Sequence, residues 1–220
     1  LLGGDTTRTA KVGDIHAPVT ISITAMGELP QSMGLTRAGA RPGDDIWVSG
    51  CVGGAWAALM HRWGKLTLDA RVFPSAALAM DRPNPRNALG TALLSSATAC
   101  ADISDGLAQD LGHILERSGV DADVLWDAVP KHPALAALSQ EQQVEAAMSG
   151  GDDYELVFTA PADKRGLIEQ ASISALTPVT RIGRIIEKKQ SGAPLAIRDA
   201  SGRPLFLPVQ GFDHFAQGAD

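Results

Sequence analysis

The chain has 220 residues, 45% of them hydrophobic and 20% charged, with a formal net charge of −6. That supplies enough apolar surface for a buried core, in one large domain or two small ones. The acidic balance argues against nucleic acid or an anionic membrane as a general partner, and no apolar run approaches the roughly 18 residues that a bilayer span needs. No signal-peptide pattern is visible. The two cysteines, Cys51 and Cys100, lie near apolar segments without metal-ligand spacing. They read as reduced core thiols, as expected of a cytoplasmic protein.

The first residues, Leu1-Leu2-Gly3-Gly4-Asp5, read as the end of a strand, which points to a piece of a longer protein. From Val19 to Ala25 apolar residues (Val19, Ile21, Ile23, Ala25) alternate strictly with Thr20, Ser22 and Thr24, the pattern of a strand with one buried face. Arg41-Pro42-Gly43-Asp44 marks a turn before a short strand over Asp45 to Ser49, closed by Gly50. Gly53 to His61 reads as a helix with Trp56, Leu59 and Met60 on its apolar side. Arg82-Pro83-Asn84-Pro85-Arg86 is a rigid loop, and a helix over Asn87 to Ser95 follows it.

Leu107, Leu111, Ile114 and Leu115 recur at helical spacing, and Ser118-Gly119 supplies the stop. A strand over Ala122 to Leu125 comes next. A helix over Gln140 to Met148 follows, with Ser139 as cap and Gln142 placed to complete a capping box. Ser149-Gly150-Gly151-Asp152-Asp153 is a turn feeding a strand over Tyr154 to Thr159. A helix near Asp163 to Ser172 and strands near Thr180 to Ile186 and Leu195 to Asp199 complete the tail. Strands and helices mix without a clean βαβ repeat, so the predicted class is α+β rather than doubly wound.

Three acidic turns carry the chemistry: Gly3-Gly4-Asp5-Thr6-Thr7, Asp102-Ile103-Ser104-Asp105-Gly106, and Gly150-Gly151-Asp152-Asp153-Tyr154-Glu155. Glycine beside a carboxylate lets backbone approach a ligand that the carboxylate coordinates. The second turn opens a helix, and its pattern fits two readings. Ser and Asp cap helices, and crowded carboxylates suit Mg²⁺, which is commonly shared with phosphates. No Walker loop, kinase catalytic-loop signature or Rossmann glycine pattern is present, so bound phosphate would rely on metal, backbone and a local basic group. Arg37 and Arg86 are the candidates, and Arg86 reads better as a surface residue. His113 is placed at the solvent or core edge of its helix. Phe212 and Phe215 around His214 read either as a terminal latch or as a ring that stacks on a flat ligand.

Taken in order, Gly3-Gly4-Asp5-Thr6, Leu35-Thr36-Arg37, Gly39 to Asp44, Asp102 to Leu107, Ser149 to Leu156 and Gly211-Phe212-Asp213-His214-Phe215 resemble the thiamine-monophosphate kinase family of the aminoimidazole-ribonucleotide-synthetase-like superfamily. The resemblance runs over nearly the whole chain. It implies a mixed α/β sandwich for residues 34–220, the C-terminal domain. It makes residues 1–33 a remnant of the N-terminal ATP- and Mg-binding domain, essentially its last strand.

The activity it implies is direct in-line transfer of the γ-phosphoryl group of ATP to thiamine monophosphate with Mg²⁺ ions, giving thiamine diphosphate, in a full-length homodimer. The 220-residue piece alone is then expected to be nearly inactive. By the same resemblance, Asp5, Asp102 and Asp105 hold metal, Gly4, Arg37 and Ser104 contact ATP, and Asp152 and Phe212 contact thiamine monophosphate. An aromatic face attracts the cationic thiazolium.

Two departures stand out: the family's usual Glu is replaced by the shorter Asp152, and the stretch from Arg8 to Pro18 suggests an inserted hairpin. Two other readings remain. One is an ATP-dependent synthetase of purine biosynthesis, which the Asp152 and Phe212 pattern disfavours. The other is a non-catalytic ligand- or metal-binding domain whose acidic turns are caps.

Overall fold

A computed structural model describes residues 11–12, 15–16, 21–24, 26–28 and 34–205. The chain divides into two compact units, Leu1–Ser32 and Met33–Asp220. In the first, β1 (Lys11–Val12) pairs antiparallel with β2 (Ile15–His16), Lys11 opposite His16 and Val12 opposite Ile15. This is a hairpin within the stretch where one was expected. The strand predicted over 19–25 is not formed in its described part. Residues 21–24 have no regular structure, and Ile21 and Ile23 are 79% and 87% exposed. Alternation supplies an apolar face, but a strand persists only when its backbone groups are paired, and no described strand pairs with this one.

In the second unit a six-stranded sheet has the order β4-β6-β3-β7-β5-β8. The elements are β3 (Asp45–Ser49), α1 (Gly54–Arg62), α2 (Phe73–Asp81), α3 (Asn87–Ala92), β4 (Ala99–Ile103), α4 (Leu107–Ser118), β5 (Asp121–Leu125), α5 (Gln140–Ser149), β6 (Glu155–Ala160), α6 (Arg165–Ser174), β7 (Val179–Ile186) and β8 (Leu195–Arg198). Neighbours pair antiparallel except β5 and β8, which run parallel.

Helices cover both faces, so among the described residues the expected α+β sandwich is the observed architecture. On one face Ile46, Val48, Ala101, Ile103 and Val157 pack against Trp56 of α1, Leu107, Leu111 and Ile114 of α4, and Met148 of α5. On the other, Trp47 and Phe158 lie opposite each other in register and pack against Leu89 of α3 and Ile168 of α6. Side chains that alternate across a strand feed both layers, which is why all five residues of β3 are buried.

The strongest helical signals hold. The apolar stripe of α4 is buried, and Gly119 ends the helix at φ 68°. For α5, Ser139 Oγ accepts the Gln142 N–H while Gln142 Oε1 accepts the Ser139 N–H, the full capping box. Strands β5 to β8 lie within one residue of their predicted limits. α3 is shorter than expected, ending at Ala92 where Ser95 was predicted.

Two elements escaped prediction. In α2 a proline follows Phe73, where a helix tolerates it, within an apolar run that has no face contrast. In β4 the inward residues Ala99 and Ala101 are too small to show the period. Replacing Ser139 with Ala should lower stability by about 1 kcal/mol, measured by denaturant melts, with no change in secondary-structure content.

Candidate functional site

Alternation along β4 sends Ala99, Ala101 and Ile103 into the core and leaves Asp102 exposed near the strand's end. The chain then turns through Ser104 and Asp105, both half-buried, into α4. Ser104 does not cap this helix, contrary to one of the sequence readings. Gly106 occupies the cap position at φ 110° with no side-chain cap. A Cβ at Gly106 would sit 2.8 Å from the Met148 carbonyl oxygen and the Ser149 Cα, so the packing of α5 against this turn requires glycine. The backbone donors are satisfied from downstream. Asp110, 1% exposed, accepts the N–H groups of Ser104 and Asp105 on Oδ2, both at 3.0 Å.

The third acidic turn lies against this one. The N–H of Asp152 donates to the Ser104 carbonyl at 2.8 Å, and that of Tyr154 to the Ile103 carbonyl at 2.8 Å, extending the β4–β6 ladder past its last pair, Ile103 and Glu155. Gly151 (φ 67°) has no room for a side chain, since a Cβ would lie 2.6 Å from the Ser104 carbonyl oxygen. Asp152 and Tyr154 both adopt left-handed φ, 59° and 50°. The Tyr154 hydroxyl donates to Asp152 Oδ1 at 3.1 Å. Its pKa is raised by burial and then by the negative charges of Asp152, Asp102 and Asp105.

Arg37 reaches the same patch because its segment runs beside β4. The Cys100 N–H donates to the Thr36 carbonyl at 2.9 Å, and Ser118 Oγ accepts the N–H groups of Gly39 and Ala40. The Arg37 guanidinium lies 3.9 Å from Asp102, and each side chain is 51% exposed. A pair that exposed contributes little to stability and leaves the arginine available to an anion.

The structure therefore brings Arg37, Asp102, Ser104, Asp105 and Asp152 to one end of the sheet. Gly4, Asp5, Phe212 and His214 lie outside the described residues. Among the described residues no three His, Cys, Asp or Glu side chains form a metal centre. Asp102 and Asp105 fit as part of a Mg²⁺ donor set, because that ion typically takes one or two carboxylates and completes its shell with water and phosphate oxygens.

Other acids near the patch are structural. Asp153 accepts the Gly53 N–H at 2.9 and 2.8 Å on its two oxygens and so caps α1. Burial pushes its carboxyl up to about 7, against the pull of the Gly53 and Ala55 amides. Glu155 is buried and accepts Arg86 Nε at 2.7 Å together with the Ser49 hydroxyl. Arg86 is therefore no surface residue, since its side chain is only 16% exposed. Nothing local in the Pro-Asn-Pro loop signals that partner, 69 residues away.

His113 is half-buried on α4, as expected. Cys51 and Cys100 are free and half-buried, and burial pushes their thiols up to about 11 and about 12. A cavity of about 580 Å³ lies elsewhere, along β5 and β7. Its arginines are largely engaged, Arg165 and Arg181 by Asp45 and Arg198 by Asp123.

Fold and site together define an α+β sandwich domain with a carboxylate-rich patch, joined by Arg37, at one end of its sheet. The chain belongs to the family described as AIR synthase related protein, C-terminal domain, whose model matches residues 41–195. It is 38% identical over 221 residues to the thiamine-monophosphate kinase of Salmonella typhimurium, covering 98% of this chain and 63% of that relative. It also resembles the crystal structure of thiamine-monophosphate kinase from Stenotrophomonas maltophilia K279a, with TM-score 0.70 and 41% identity over 77% of this chain and 54% of that one. A second solved structure, AaThiL complexed with AMPPCP and TMP, matches with TM-score 0.65 and 27% identity over 82% of this chain and 54% of that one. The chain thus spans less than two thirds of the length of these relatives.

Two measurements test how the charges divide. Arg86→Ala should cost about 3–5 kcal/mol in denaturant melts by stranding buried Glu155, while Arg37→Ala should stay within about 0.5 kcal/mol. For Asp153, the unfolded carboxyl ionises near 3.8 and the folded one near 7. Between these values the folded state holds a proton that the unfolded state has lost, so this group's contribution to stability falls as pH rises from about 4 to 7. The Asp153→Asn variant lacks that slope. Its melting temperature should gain on the wild type across the window, and parallel curves would refute the assignment.

Proposed function

We propose that this chain carries the larger part of a thiamine-monophosphate kinase, which transfers the γ-phosphoryl group of ATP in line to thiamine monophosphate and yields thiamine diphosphate. The observation that carries the reading is the convergence of Arg37, Asp102, Ser104 and Asp105 beside Asp152 at one end of the sheet. The named relatives, and a relative bound to AMPPCP (an ATP analogue) and TMP, support it.

In this reading Asp102 and Asp105, with Asp5, hold Mg²⁺, whose role when bound is to neutralise charge on the transferring phosphates. Arg37 and Ser104, with Gly4, contact ATP. Asp152 and Phe212 contact thiamine monophosphate. Since Asp110 occupies the amides of Ser104 and Asp105, charge neutralisation at this turn falls to cations and to Arg37 rather than to backbone N–H groups. Residues 1–33 are the remnant of an N-terminal ATP- and Mg-binding domain, and 34–220 the C-terminal domain. The full-length enzyme is a cytoplasmic homodimer, and the present piece is nearly inactive without the rest.

The test is thiamine diphosphate formation by the full-length protein from thiamine monophosphate and Mg-ATP, followed chromatographically. Asp105→Asn should reduce kcat at least about 100-fold with little change in melting temperature. No product from the full-length wild type would sink the proposal. An Asp105→Asn variant of normal activity would remove that residue from the site.

A further inference from the structure

Every described backbone contact of the turn between β4 and α4 is made by a specific partner. The Ile103 and Ser104 carbonyls accept from Tyr154 and Asp152, and the Ser104 and Asp105 amides donate to Asp110 Oδ2. The Gly106 carbonyl accepts the N–H of Asp110 itself. The Gln109 amide, one residue upstream, reaches Asp105 Oδ2 at 3.3 Å.

Asp110 is unusual among these partners. It accepts both amides on one oxygen of a carboxyl group that is 1% exposed and forms no ion pair with a described cation. It also lies beside two further acids. Its Oδ2 holds the amide of Asp105 itself, and Asp102 stands near the end of the strand that leads into the same turn. Carboxyl groups brought this close suit a shared cation, which takes oxygen ligands.

We propose that Asp110 is a positioning residue for the cation held by Asp102 and Asp105. Its carboxyl group fixes the turn between them and turns its two amides away from any anion, so the turn favours a cation over a phosphate. The inference rests on the cation-site part of the proposed function and is independent of the substrate. Gln109 adds to it by holding Asp105 from the same helical turn.

The test uses Mn²⁺ as the probe, titrated into the substrate-free full-length protein, with free Mn²⁺ read by electron paramagnetic resonance and folding followed by thermal melts. Wild type should bind Mn²⁺ at a site that Asp102→Asn removes. Asp110→Asn should weaken that site by about 10–100-fold while keeping a cooperative melt, and Gln109→Ala should weaken it by a smaller factor. Unchanged Mn²⁺ affinity in Asp110→Asn, with or without a lower melting temperature, overturns the proposal and leaves a purely structural cap. A wild-type protein with no Asp102-dependent site overturns it as well. If Asp110→Asn does not fold, Gln109→Ala decides, and an unchanged affinity there rejects the proposal. Thiamine diphosphate formation is assayed separately. An intact Asp102-dependent Mn²⁺ site without product refutes the kinase reading and leaves this one standing.

Discussion

The antiparallel pairing of β4 with β6 does not stop where the strands end. Two further hydrogen bonds, from Asp152 to the Ser104 carbonyl and from Tyr154 to the Ile103 carbonyl, carry the ladder into the turns on either side. Two acidic segments nearly fifty residues apart in the chain are thereby laid edge to edge. Gly106 and Gly151 make the contact possible, because a Cβ at either would fall inside the neighbouring backbone. What places Asp102, Asp105 and Asp152 in one patch is thus main-chain geometry, which their own side chains did not create.

Burial then sorts the acids that the sequence leaves undistinguished. Asp153 and Glu155 lie in the same motif as Asp152, yet each meets a partner that consumes it, the start of α1 for Asp153 and Arg86 with Ser49 for Glu155. Asp102 and Asp152 remain exposed and Asp105 half-buried. A carboxylate held by protein donors anchors structure, whereas one left in water can exchange that water for a cation at little cost. The arginines divide likewise. Arg86 is committed to a buried pair, and Arg37 makes only a long, half-exposed contact with Asp102.

The legible parts of the fold were those whose signals are local. The stripe and C-terminal glycine of α4, the capping box of α5 and the apolar strand at Asp45–Ser49 each specify an element within their own residues. β4 was missed because Ala99 and Ala101 bury too little area to mark an inner face, and its identity comes from pairing with β6 on one side and Thr36 on the other. The segment at 21–24 failed in the opposite sense, with a clear alternation and no described partner. At the site, the order of motifs singled out Arg37, Asp102, Ser104, Asp105 and Asp152, which the fold brings to one end of the sheet. The sequence could not show that Arg86 belongs to Glu155 or that Asp110 clamps the turn, since both depend on tertiary contacts.

The backbone of the third acidic turn bears on why Asp152 stands where the resemblance implies Glu. Asp152 sits at φ 59°, a left-handed conformation that Asp tolerates better than longer side chains, because its short carboxyl group bonds locally. Here the local donor is the Tyr154 hydroxyl, itself on a left-handed residue. Two strained residues within three positions are costly, and such strain persists only where the surroundings over-determine it. The surroundings here are the two ladder bonds and the close approach of Gly151 to the Ser104 carbonyl. A Glu at this position would gain reach at the expense of backbone fit. Asp152 instead carries a shorter carboxylate that suits this backbone and accepts the Tyr154 hydroxyl.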